Sequence, residues 1–156
     1  MHAAAAIPVL LATNQGRELA VIGHQVSVKL TAADTGGLAY VFEDICPPGA
    51  GVPPHVHSRE DEILTVLEGE FEVFLDGKTH KAAQGAVANF PRSVPHAFRN
   101  ASGKPARALF VVTPGESFAR FFEELSALPA KVPPDPEKLV EIFARYGMTI
   151  LPGNGG

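Results

Sequence analysis

Between Leu38 and Thr113 the chain is cut by glycines, prolines and one Asp-Gly pair into apolar runs that suit strands and are too short for globular helices. That punctuation constrains the fold more than any other feature. Leu38 to Ile45 alternates, with Leu38, Tyr40 and Phe42 on one face and Ala39, Val41 and Ile45 on the other. Ile63 to Leu67 and Phe71 to Leu75 follow. Asp76-Gly77 predicts a two-residue hairpin, because glycine accepts a positive φ without steric cost, and Lys78 to Ala82 returns from it. Ala86 to Phe90, His96 to Asn100 and Arg107 to Thr113 extend the series. Upstream, Leu19 to Leu30 predicts one or two strands and Thr31 to Gly37 a turn. Many short strands at close intervals predict an all-β sandwich or barrel.

The tail changes period. Phe118, Phe121, Phe122 and Leu125 recur at helical spacing, and Thr113-Pro114-Gly115-Glu116 has the form of a capping box with proline at the first helical position. A Pro-rich connector, Pro129 to Pro134, leads to a second helix capped by Asp135, opened by Pro136 and stopped by Gly147. Its stripe is Leu139, Ile142, Phe143 and Tyr146. Both stripes are expected to pack on the barrel as structure. The reading is therefore one domain over residues 1–156, with the barrel at about 19–113 and the helices at about 114–147.

A formal net charge of −4 and the lack of a Lys/Arg stripe argue against nucleic acid as partner. No apolar run reaches the length of a membrane helix. The N-terminal run Ala3 to Ala12 holds Pro8 and has no basic segment ahead of it, so a cytoplasmic location is expected and a membrane partner is not. The single cysteine, Cys46, excludes an intrachain disulfide and is expected to be a buried, inert thiol.

His55 and His57, two apart, project from one face of a strand. Glu62 lies beyond the polar segment Ser58 to Asp61, and reaches the same side if Ile63 to Leu67 pairs beside the histidine strand. His96 begins a distant strand. Three imidazoles and a carboxylate suit one divalent transition ion, Fe, Mn, Ni, Zn or Cu. Glu60 and Asp61 are rivals to Glu62, whose spacing to Gly69 favours it.

These residues fall at G-x5-H-x-H-x4-E-x6-G (Gly49, His55, His57, Glu62, Gly69) and G-x5-P-x4-H-x3-N (Gly85, Pro91, His96, Asn100). The pair of motifs resembles the two signatures of the cupin superfamily, with Ser93 where a glycine is usual. The resemblance implies a double-stranded β-helix, or jelly-roll barrel, here followed by two C-terminal α-helices, and a homodimer. It implies His55, His57, Glu62 and His96 as metal ligands, with Glu62 also the catalytic base. Small bacterial cupins similar to quercetin 2,3-dioxygenases suggest oxidation of an enolic or phenolic small molecule. Metal-dependent isomerases or lyases of carbonyl or sugar compounds, and non-enzymatic binding modules, share the site.

Alternation nominates Tyr40, Phe42, Leu64, Val66 and Phe98 as substrate-pocket walls, although core packing would use the same residues. Asn100 is expected to be a packing residue or an outer partner of the ligands. Arg92 and Arg99 could meet an anionic substrate or serve as solvated surface charges.

Overall fold

The structure is a computed structural model that describes residues 4–129 and 134–153, so the middle of the Pro-rich connector, 130–133, lies outside the described residues. Eleven strands and three helices are present among them: β1 (Arg17–Val21), β2 (His24–Leu30), α1 (Ala32–Thr35), β3 (Tyr40–Cys46), β4 (Gly51–His57), β5 (Asp61–Glu68), β6 (Glu70–Leu75), β7 (Lys78–Ala83), β8 (Val87–Phe90), β9 (His96–Arg99), β10 (Ala106–Thr113), α2 (Phe118–Ser126), α3 (Pro136–Arg145) and β11 (Met148–Ile150). They form two antiparallel sheets, ordered β1-β2-β3-β10-β5-β8 and β11-β4-β9-β6-β7. This is the predicted jelly-roll architecture with two C-terminal helices.

Local chemistry explains most elements. The β6–β7 hairpin turns at Asp76 and Gly77, both at positive φ (49° and 78°), the mirror-image turn that matches strand twist. In β10, alternate residues from Ala106 to Val112 are buried, giving the face that packs against the opposite sheet. Across the interior, Phe42 stacks on Phe110 at 4.9 Å, Phe110 meets Phe98 at 5.0 Å, and Phe98 meets Phe71 at 6.0 Å. That column of rings joins the sheets and forms the middle of the core.

Four local expectations are corrected. Leu38 is exposed and precedes β3, so it does not share the inward face of Tyr40 and Phe42. The expected turn at Thr31 to Gly37 contains a single helical turn, held by Thr31 and Asp34. The first long helix starts at Phe118 with Ser117 at its cap, not at Pro114. Thr113 is still paired with Asp61 in the sheet, and a residue cannot be in a ladder and cap a helix at once. Finally, β11 after Gly147 was not foreseen; it adds to the edge of β4 at Met148↔His57 and Ile150↔His55.

The second helix matches its reading. Asp135 accepts a hydrogen bond from the Glu137 amide, Pro136 opens the first turn, and Leu139, Ile142 and Phe143 are buried. Glu62 reaches the histidines by a different route from the one expected. Its strand β5 pairs with β10 and β8, not with β4. Residues Ser58 to Glu60 carry the chain across the barrel, so the carboxylate faces the histidines from the opposite sheet. No helix among the described residues is long and apolar enough to cross a membrane.

Candidate metal centre

β4 is irregular beside β9: the register Val52↔Phe98 shifts before His55↔His96, across Pro53 and Pro54. A bulge holds prolines that a regular ladder would reject, and it re-aims the side chains that follow. His55 and His96 therefore sit opposite each other, ring centroids 4.4 Å apart, with His57 one pleat further at 4.9 Å from His55.

The Nε2 atoms of His55 and His57 lie 3.0 Å apart; Glu62 Oε2 is 3.4 Å from His57 Nε2 and 3.5 Å from His96 Nε2. Ligands at about 2.1 Å from a shared ion are about 3.0 Å apart at right angles and about 3.4 Å apart at tetrahedral angles. The observed separations fall in that range, and one ligand atom from each residue lies within 4.8 Å of every other. All four residues are buried.

The outer ring atoms settle which lone pairs face inward. His55 Nδ1 donates to the Pro53 carbonyl at 2.8 Å and His96 Nδ1 to the Val94 carbonyl at 3.1 Å. A carbonyl only accepts, so Nδ1 carries the hydrogen and Nε2 presents a lone pair to the centre. His96 Nε2 is buried with no protein partner. Converging lone pairs beside a carboxylate repel one another unless a cation stands between them, so the donor set fits a divalent metal.

Burial first, then the neighbouring His96 and His57, pull the His55 imidazole down to about 3, which keeps it neutral as ligation requires. For Glu62 burial acts upward, yet the three imidazoles around its carboxylate, His96 first, bring it below the ordinary carboxylate value.

Glu60 and Asp61 do not join the cluster. Asp61 accepts from the Arg92 backbone amide and pairs with its guanidinium at 2.8 Å on the surface, which holds its carboxyl at about 2. Arg99 faces Glu72 at the surface, so neither arginine lies at the centre. Glu60 has an outer position instead. It is buried, receives the Ser117 hydroxyl at 2.7 Å, and places Oε2 3.6 Å from His57 Nδ1. Asn100 acts in packing rather than as an outer partner of the ligands: its amide donates to the carbonyls of Cys46 and Lys104 and its oxygen accepts from Ser102. Cys46 is fully buried, and its thiol donates to the Ala50 carbonyl.

A cavity of about 60 Å³ opens beside His55, His57 and Glu62. Phe42 and Phe98 line it; Tyr40, Leu64 and Val66 do not and belong to the core. The remaining wall comes largely from α2 and α3, through Phe118, Phe121, Phe122, Leu125 and Phe143. Sequence periodicity found those stripes but assigned them packing alone. The cavity also holds His24 and Asp44, which sequence reasoning missed; the available signal was a charged residue, Asp44, on the inward side of β3 between Phe42 and Cys46.

A cupin-domain family model matches residues 43–112. Over 94 residues the chain is 34% identical to quercetin 2,3-dioxygenase of Bacillus subtilis (strain 168), covering 60% of this chain and 28% of that protein. It is 34% identical over 93 residues to protein SchB of Streptomyces halstedii, covering 59% of this chain and 67% of SchB. The chain thus spans well under two thirds of the dioxygenase. Among solved structures, KdgF from a Halomonas species superposes with a TM-score of 0.65 at 19% identity, over 72% of this chain and 99% of that one, a likeness of fold alone.

Proposed function

The chain belongs to the cupin superfamily, and from that premise we propose that it is a metal-dependent dioxygenase acting on a planar enolic or phenolic small molecule. The observation that carries the reading is a ring of three imidazoles and one carboxylate opening into a cavity walled by aromatic side chains. Likeness to a quercetin 2,3-dioxygenase supports the same substrate class.

His55, His57, Glu62 and His96 would hold the ion. A first-row divalent ion would supply Lewis acidity toward a substrate oxygen and redox chemistry with dioxygen. Phe42, Phe98 and Phe118 exclude water and hold a flat ring edge-on or stacked. Glu62, on the sheet opposite the histidines, accepts the proton of the substrate hydroxyl at its carboxylate oxygen.

Elemental analysis of natively purified protein, followed by oxygen-electrode assays with quercetin and related enols, tests this. Glu62→Gln is expected to lower oxygen consumption by roughly 10²- to 10⁴-fold while the protein keeps a bound metal. A stoichiometrically metal-loaded protein that consumes no oxygen across that panel overturns the reading. Turnover without oxygen would place the chain with the metal-dependent isomerases or lyases instead.

A further inference from the structure

His24 opens β2 and Asp44 lies on β3, where the register pairs Val26 with Asp44 and Gln25 with Ile45. Both side chains turn inward and line the cavity that also contains His55, His57 and Glu62. His24 Nδ1 lies 3.0 and 2.9 Å from the two oxygens of Asp44. His24 is 4% exposed and Asp44 2%. Among the described residues, His24 is the only basic group within ion-pairing distance of that carboxylate.

A carboxylate this deeply buried is costly without a counter-charge, so the pair stands as imidazolium and carboxylate. Its second nitrogen then becomes the point of interest. His24 Nε2 is buried and has no hydrogen-bond partner in the protein. A charged N–H left without an acceptor carries a large desolvation cost, which is recovered when something in the cavity accepts from it. Phe98 stands perpendicular to the His24 ring at 6.2 Å and carries no oxygen or nitrogen to accept from it.

His24, Asp44 and Cys46 are also close enough together to suggest a second metal site. Their bonds argue against it. Both Asp44 oxygens already face His24 Nδ1, and the Cys46 thiol donates to the Ala50 carbonyl.

We propose that His24, held in place and charged by Asp44, is a substrate-binding residue whose Nε2–H grips an oxygen of the ligand at a second point of the metal-centre cavity. The ligand class follows: a flat, mostly apolar molecule with two oxygen functions. One oxygen faces the four metal-ligating side chains, and the other, a carbonyl, phenolate or carboxylate oxygen, accepts from His24. The placement of the first oxygen rests on the proposed function; that of the second does not. Consistent with a charged ring, burial acts downward on the imidazole, yet the Asp44 carboxylate, with the nearby Cys46 sulfur adding to it, carries it up to about 10.

The test uses zinc-loaded full-length protein with ¹⁵N-labelled histidine, titrated with quercetin. The His24 Nε2 resonance is expected to move with saturation, and His24→Gln to weaken binding roughly tenfold or more at unchanged zinc content. If quercetin binds while the His24 signal stays still, or His24→Gln binds equally well, the inference is overturned and the proposed function stands. If quercetin does not bind at all, the substrate class of the proposed function fails, and benzoate, whose only oxygens are a carboxylate, decides the inference. A His24 shift with benzoate upholds it; no shift at saturating or solubility-limited benzoate overturns it. The resonance of the unsubstituted protein carries the result should His24→Gln not fold.

Discussion

At the scale of single residues, Ser93 shows how one departure from a motif is absorbed. The position adopts φ 66°, the left-handed region, and its amide donates to the His57 carbonyl at 2.7 Å. That conformation explains why a glycine is usual there: a side chain at positive φ meets its own backbone. Ser93→Gly is expected to raise unfolding stability by about 1 kcal/mol in urea denaturation, with metal affinity unaltered. Glu60 shows the converse, a residue outside the ligand set with a defined task. Its buried carboxylate stands beside His57 Nδ1 and is anchored by Ser117, the cap residue of α2. Such outer partners orient a ligating ring and raise its basicity. Glu60→Gln should weaken metal binding by roughly 10- to 100-fold in a chelator-competition assay, without unfolding the protein. Equal affinity would show that His57 is oriented by packing alone.

At the scale of elements, α2 is the part whose role changed most between sequence and structure. Its apolar stripe packs on Tyr40 and Phe42, with Phe122 edge-on to Phe42 at 4.7 Å, and the same stripe walls the cavity and stacks Phe118 over His57 at 5.9 Å. The helix can approach so closely because of the segment before it. A Cβ on Gly115 would lie 2.3 Å from the Ala39 carbonyl carbon and 2.5 Å from its oxygen, both rigid backbone atoms. Gly115→Ala should therefore push α2 off the barrel mouth and cost about 1–3 kcal/mol, seen as a lower urea midpoint. An unchanged midpoint would mean that the crossing at Ala39 yields easily.

At the scale of the whole molecule, the four candidate metal ligands are drawn from both sheets. His55, His57 and His96 come from β4 and β9 of one sheet, and Glu62 from β5 of the other. An ion held there stabilises the folded chain alone, because the unfolded chain does not present the four groups together. At about a thousandfold excess over its dissociation constant it would contribute about 4 kcal/mol. Chelation should then lower the melting temperature by roughly 10 °C in a domain of this size, reversed when metal is restored. His96→Ala should melt at the same temperature with and without chelator. A chelation shift that survived in that variant would place the stabilising ion elsewhere.

What the sequence determined by itself is what short-range geometry dictates. The two-residue spacing of His55 and His57, the inward turn of Glu62 with Leu64 and Val66, the Asp76-Gly77 hairpin and the Asp135-Pro136 helix start all follow from the period of a strand, the φ range of glycine or the orphan amides of a helix end. Spacing also selected Glu62 over Glu60 and Asp61. Only the tertiary structure decided that β5 lies in the sheet opposite the histidines, that β11 covers β4, and that the helices wall a cavity. It alone brought His24 to Asp44, placed Asn100 in loop packing, and withdrew Tyr40 from the cavity wall. The physical reason is that alternation says which side of a strand a residue occupies. Which sheet that side faces depends on pairings between strands far apart in the chain, and these are set by the free energy of the whole core.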